Sequence, residues 1–171
     1  MDIIGTGLSG LVGSRVTSLL SPGFSFTDLS KETGIDLLDF SKVQKMITSS
    51  DSSWVFHFAA YTDVQGAEME KAKGKKSISW QVNVRATENI VHICRDTGKK
   101  LLYISTDYVF DGKKDEYEED DIPNPISWYG TTKYEGELFV QTLKGQSLII
   151  RIANPYRGSP VGKMDFVHKM L

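Results

Sequence analysis

The chain opens on a short apolar run, Ile3 and Ile4, that passes directly into Gly5, Thr6, Gly7, Leu8, Ser9, Gly10, Leu11, Val12 and Gly13. Such a start allows little besides a strand, a tight turn and the first turn of a helix. Glycines at that turn let the backbone approach a pyrophosphate, whose charge is favoured by the amides at the helix N-terminus. A GxGxxG on its own is weak, so the rest of the chain has to supply the matching architecture.

Alternation supplies it. Strand-like runs fall at Asp2 to Gly5, Phe24 to Asp28, Trp54 to Phe58, Leu101 to Ser105 and Ser147 to Ile152. Helical stretches at Leu11 to Leu20, Ser41 to Ser49, Val82 to Thr97 and Ser127 to Leu143 separate them. This pattern predicts an α/β fold, a doubly wound parallel sheet of the Rossmann type with helices on both faces. Right-handed crossovers then place a ligand at the carboxyl ends of the strands, where the strand order reverses. Gly5 to Gly10, Asp28, Ala59 to Thr62 and Ser105 to Tyr108 all fall at such ends.

With 171 residues, 40% hydrophobic and 25% charged, the chain suits one domain with a substantial core. Its net charge of -2 gives no basic excess, and neither zinc-type cysteine spacing nor a nucleic-acid motif is present, which argues against nucleic acid as a partner. The only cysteine, Cys94, rules out an internal disulfide framework and reads as packing in a reducing compartment. The N-terminus enters a strand at once, and no apolar stretch approaches the roughly 20 residues of a membrane span, so a cytoplasmic location is expected. Two charge runs, Lys71 to Lys76 and Asp115 to Asp121, read as solvated loops. The acidic run leads through Pro123 and Pro125 toward Tyr129 and is placed to rim a cleft.

The residues with chemistry to offer are Tyr129 and Lys133. Seven Tyr and fifteen Lys give about 0.6 YxxxK matches by chance, so the pair gains weight only from its setting. On a helix the two share a face, and a Lys133 ammonium beside the phenol would lower it from about 10 toward neutrality. A tyrosine tuned in this way can protonate the alkoxide that forms on a reduced carbonyl. The Thr106 hydroxyl, in the preceding run Ser105, Thr106, Asp107, Tyr108, would hold the carbonyl oxygen.

Other polar positions divide between site and scaffold. Asp28, 21 residues after Gly7, can accept hydrogen bonds from ribose hydroxyls and repel a 2'-phosphate, which favours NAD; Lys31 and Arg15 leave NADP open. Asp36 and Asp39 can both cap the following helix, Asp39 more naturally. His57, inside Trp54, Val55, Phe56, His57, Phe58, reads as a satisfied core histidine. His92 and His168 have no carboxylate or cysteine at ligand spacing, so no metal is expected. Asn83 is expected to order the structure, and Tyr108 stands near enough to Thr106 to touch substrate.

Taken together, these residues resemble the extended short-chain dehydrogenases/reductases. Within that superfamily they are most similar to the dTDP-4-dehydrorhamnose reductase branch and its relative, the regulatory beta subunit of methionine adenosyltransferase. Thr6, Gly7, Gly10 and Gly13 fit TGxxGxxG, and Ala59, Ala60, Tyr61 and Thr62 follow the third strand. Ser105 to Gly112, STDYVFDG, and Tyr129 to Lys133, YGTTK, are the branch-specific pieces. The resemblance implies NAD(P) binding by Gly10, Leu11 and Val12 at the pyrophosphate, by Asp36 and Leu37 near the adenine, and by Ala60, Tyr61 and Thr62 along the inner half. It implies a catalytic Thr106, Tyr129 and Lys133, with Lys133 also on the nicotinamide ribose, and substrate contacts from Asp107 and Asn154.

The expected function is therefore NAD(P)-dependent reduction of a sugar nucleotide, most concretely a 4-keto-6-deoxyhexose. A noncatalytic dinucleotide-binding regulatory subunit is the first alternative. A nucleotide-sugar epimerase or dehydratase is the second, because the run Arg151 to Tyr156 resembles those enzymes. Residues 1 to 152 are expected to form the dinucleotide-binding domain and 153 to 171 the start of a substrate-binding region, largely absent from what reads as a fragment. A homo-oligomer or a partner enzyme is compatible with the resemblance.

Overall fold

The computed structural model describes residues 1–158 and 165–170. Five parallel strands form one sheet in the order β2-β1-β3-β4-β5. The interior strand β1 (Asp2–Thr6) is buried from Ile3 onward, as expected of a strand covered on both faces. The chain turns at the glycines into α1 (Leu11–Leu20) and returns as β2 (Ser25–Asp28). After α2 (Phe40–Thr48) it crosses to the other side of β1 as β3 (Trp54–His57). This reversal opens the crevice that the strand pattern anticipates. Strands β4 (Lys100–Thr106) and β5 (Ser147–Ile152) complete the sheet. The register pairs Gly5 with Asp28, Thr6 with His57 and Thr106 with Ile152, so the site-bearing ends lie along one rim.

The core joins Ile4, Val55, Leu101 and Tyr103 of the strands to Val43 and Ile47 of α2. Helix α5 (Ala86–Thr97) adds Ile90, Val91, Ile93 and Cys94. Burial pushes the Cys94 thiol up to about 12, so it packs and does not react. Asp39 caps α2 by accepting from the Lys42 amide at 3.1 Å, as its position suggested. Gly98 stops α5 with φ 70, a left-handed backbone that glycine adopts without strain.

Between β3 and β4 the structure is more helical than the sequence predicts. Helix α3 (Val64–Met69) leads into a 3-10 turn over Lys71–Lys76, then α4 (Ile78–Trp80) and a π-turn over Gln81–Arg85 that runs into α5. The lysine-rich run is therefore no open loop: Lys71 pairs with Glu68 and Lys73 with Glu70, each at 2.9 Å. Helix α6 (Trp128–Gln141) carries Tyr129 and Lys133 and begins at the Ser127 cap. A short α7 (Phe166–Met170) closes the described chain. No helix of the described residues is long and apolar enough to cross a membrane.

Candidate active site

The glycine turn is shaped by close contacts. Gly7 has φ +65, and a Cβ there would lie 2.6 Å from the Ala59 amide nitrogen. A Cβ on Gly13 would lie 2.3 Å from the Gly7 carbonyl, so α1 sits directly on the turn. Gly10 caps α1 with no side-chain hydrogen bond, and the first turn, with Leu11 and Val12, carries no acidic residue. Its amides are thus left to an anion. At the end of β2, Asp28 has its Oδ1 buried without a hydrogen-bond partner, which suits a hydroxyl donor. Asp36 is exposed, accepting from the Leu38 amide at 3.0 Å and facing Lys31 at 3.7 Å. The Leu37 carbonyl accepts from Asn89 on α5 at 3.1 Å, tying this loop to the core.

Tyr129 is 8% exposed and Lys133 2%. Thr106 ends β4, donates to Asp107 at 2.9 Å and accepts from the Tyr108 amide at 3.2 Å, with its hydroxyl beside the Tyr129 side chain. The expected tuning of Tyr129 by Lys133 needs correction. Lys133 Nζ donates instead to the Ile104 carbonyl at 2.8 Å and lies 4.0 Å from the Tyr103 ring centroid. Burial holds Tyr129 above its ordinary range, with the Thr106 hydrogen bond pulling the other way. Burial lowers Lys133 to about 7, opposed by Glu137. The proton-labile member of the pair near neutral pH is therefore the lysine.

Behind these residues runs a buried polar chain. Thr6 Oγ1 and His57 Nδ1 are 2.6 Å apart, and His57 Nε2 lies 3.0 Å from Thr87 Oγ1. The Thr87 hydroxyl donates to the Asn83 carbonyl at 2.8 Å, so it accepts from His57, which is neutral with its proton on Nε2. Burial lowers His57 to about 3, with Lys133 adding to the effect, in keeping with its reading as a core histidine. Asn83, on the π-turn, accepts from the Tyr61 amide at 2.8 Å. It donates to the Tyr61 carbonyl at 3.1 Å and to Thr132 of α6 at 2.9 Å. The segment Ala60, Tyr61, Thr62 is thereby tied to the helix that bears Tyr129.

On the other side lies a cleft of about 650 Å³ lined by Asp107, Tyr108, Phe110, Tyr117, Ile126, Arg151 and Asn154, among others. Asp107 and Asn154 are thus brought to one space, beside Tyr108, whose ring meets Tyr129 edge-on at 5.5 Å. Asn154 stands at φ 40, a left-handed backbone that asparagine tolerates. Glu118 and Glu119 of the acidic run line the same cleft, so that run does form a rim.

One feature was not legible in advance, and one sequence reading is corrected. Glu137 is fully buried and accepts from Arg151 at 3.0 and 2.7 Å, a bidentate pair that joins α6 to β5 and holds Arg151 beside the Phe110 ring. Glu137 and Arg151 are 14 residues apart, and no local spacing signals the contact. His168 lies 2.8 Å from Asp165, and His92 lies 3.9 Å from Glu88, so carboxylates do stand at helical spacing from both histidines. Each is a pair only: no group of three or more metal-ligating side chains occurs among the described residues.

The parallel sheet, the glycine turn at its switch point and the Thr106, Tyr129, Lys133 cluster on the same rim define an α/β protein of the dinucleotide-binding type. The family model described as RmlD substrate binding domain matches residues 1–171, and the chain belongs to this family. It is 34% identical over 148 residues to a dTDP-4-dehydrorhamnose reductase of Aggregatibacter actinomycetemcomitans, covering 85% of this chain and 49% of that protein. It is 32% identical to methionine adenosyltransferase 2 subunit beta of Xenopus laevis, covering 88% and 46%. Among solved structures, dTDP-4-dehydrorhamnose reductase from Bacillus anthracis in complex with NADP matches with TM-score 0.81 and 34% identity, covering 90% and 53%. The Yersinia enterocolitica enzyme matches with TM-score 0.85 and 34% identity, covering 99% and 58%. The chain spans about half the length of the curated relatives it matches.

Proposed function

We propose that the protein is an NAD(P)-dependent oxidoreductase that reduces the keto group of a sugar nucleotide, a 4-keto-6-deoxyhexose being the best fit. The observation that carries the reading is Thr106, Tyr129 and Lys133 on one rim with an uncapped helix N-terminus at the strand reversal. Gly10, Leu11 and Val12 would receive the pyrophosphate, and Asp28, with its unpartnered Oδ1, the adenosine ribose hydroxyls. A carboxylate there favours NAD over a 2'-phosphate. Asp36 and Leu37 would flank the adenine, and Ala60, Tyr61 and Thr62 the inner half. When bound, the nicotinamide supplies or accepts the hydride.

The chain's own residues then manage orientation and the proton. Thr106 orients the carbonyl, and Tyr129, kept protonated by burial, delivers its proton to the developing alkoxide. Lys133, lowered to about 7, can release a proton toward Tyr129 as the phenolate forms. Asp107 and Asn154 would hold sugar hydroxyls in the cleft that begins where β5 ends at Ile152, the boundary we assign to the dinucleotide-binding domain. A regulatory, noncatalytic role is favoured by the Xenopus relatives; the complete Thr106, Tyr129, Lys133 set favours catalysis.

Calorimetric titration with NADH and NADPH tests the cofactor half. The wild type should bind, NADH more tightly, and Gly10→Trp should abolish binding by filling the pyrophosphate space. Tyr129→Phe should keep cofactor affinity while turnover of a 4-keto-6-deoxy sugar nucleotide falls about 10² to 10⁴-fold. No binding of either nucleotide by the folded wild type sinks the oxidoreductase reading. Turnover with only trace cofactor would point to an epimerase or dehydratase.

A further inference from the structure

The segment from α3 to α4 does more than link β3 to α5. Glu68 Oε2 accepts from the backbone amide of Trp128 at 2.7 Å, although 60 residues separate them. Trp128 is the first residue of α6, and Tyr129 is the second. The amide of Gly130 goes to the Ser127 hydroxyl at 3.1 Å, so Glu68 takes a donor the local cap does not reach. The Trp128 indole donates to Ser77 at 3.2 Å, and its ring stacks on Trp80 at 5.6 Å and 23°. Glu70 in turn accepts from the Ile78 amide at 2.9 Å, fixing the start of α4, which carries Trp80. Lys71 and Lys73 pair with the two carboxylates and hold them in place.

We propose that Glu68 is a positioning residue for Tyr129: the 64–80 segment is a strap that sets the first turn of α6 and, through it, where the phenol stands over the substrate. This rests on the reading of Tyr129 as the acid/base. A carboxylate at the positive end of α6 is also the favourable sign for the helix dipole. The strap touches Trp128 at its amide, its indole nitrogen and its ring face, which leaves the first turn little freedom to rotate. Tyr129 itself faces Thr106, Asp107 and Tyr108, with Lys133 one turn further on; the Tyr108 carbonyl packs against Gly130, but the hydrogen bonds that hold the amides of that turn come from Glu68 and Ser127.

The test follows Tyr129 directly. In protein labelled with carbon-13 at the tyrosine ring, with Tyr129→Phe to assign the signal, Glu68→Ala should move the Tyr129 resonance. Its titration midpoint should fall by about half a pH unit or more, toward free tyrosine, as the phenol gains solvent. Glu68→Gln, which keeps an accepting oxygen of the same shape, should move both in the same direction by less. In turnover, Glu68→Ala should lower kcat about tenfold with the affinity for NADH unchanged. An unmoved Tyr129 signal in the folded alanine variant overturns the proposal. If that variant does not fold, an unmoved signal in the glutamine variant does so. The resonance measurement stands even where no turnover is found, so failure of the enzymatic reading is told apart from failure of the strap.

Discussion

Around the β1–β3 crevice polar groups satisfy one another inside the protein, whereas around β5 apolar groups face outward. Thr6, His57, Thr87 and Asn83 are each 1% exposed or less and linked by hydrogen bonds. At the other edge β5 pairs only with β4 among the described strands, and its Leu148 and Ile150 stand 48% and 37% exposed. Near the cleft, Ile122 and Ile126 are more exposed still, at 87% and 73%. The contrast separates a half whose geometry is over-determined from an edge whose exposed apolar side chains decide little, the pair that buried Glu137 makes with Arg151 aside. Buried, mutually bonded polar groups make a site rigid because each lost partner leaves another unsatisfied. Exposed apolar groups make no such demand.

The largest effect that can break this comparison is expected at Asn83. Asn83→Ala strands the Tyr61 amide and carbonyl and removes a partner of Thr132. With about 1–3 kcal/mol for each buried group left unsatisfied, a loss of about 3 kcal/mol is expected in denaturant unfolding. A loss below about 1 kcal/mol would show that the crevice relaxes as freely as the edge.

A pH-dependent effect sharpens the contrast. His57 is lowered to about 3 in the folded protein against 6.5 as its ordinary value, so the unfolded chain binds more protons between those limits. Stability therefore falls as pH drops from 6.5 toward 3. Asp165, lowered by its hydrogen bonds with the His168 amide and side chain, and other carboxylates held low by hydrogen bonds, among them Asp111, Asp121, Glu68 and Glu70, also lose their contributions on acidification, so the wild-type slope mixes them all. The difference between wild type and His57→Gln isolates the histidine. That difference should shrink as pH falls below 6.5, and a constant difference across the window would mean that His57 is not held neutral by the core.

The same contrast explains what could be read from the chain alone. β5 (Ser147–Ile152) and α1 (Leu11–Leu20) stand where the sequence puts them, because short apolar runs and a glycine turn are local signals. Thr106, Tyr129 and Lys133 converge because their strand and helix are adjacent layers of a parallel sheet, a consequence of topology. Three things were hidden. The lysine-rich run is solvated as it reads, but nothing local shows that it is helical or that Glu68 beside it reaches an amide 60 residues away. Nothing local marks Glu137 as buried, because its partner Arg151 arrives from β5. The direction in which Tyr129 is shifted depends on burial and on which acceptor Lys133 chooses, and a spacing of four encodes neither.

The smallest expected effect lies at the open edge and tests the comparison from its other side. Leu148 and Ile150 project from the exposed face of β5, and threonine has the β-branched shape that a pleated strand favours. Leu148→Thr and Ile150→Thr together should change stability by no more than about 0.5 kcal/mol, as substitutions of exposed residues generally do. They should also raise the concentration at which the protein stays soluble, because an apolar edge strand invites pairing between copies. A loss above about 1.5 kcal/mol would require the two side chains to be buried in solution. The β5 edge would then belong with the crevice as a closed part of the fold, and the division between a fixed half and an open half would fall.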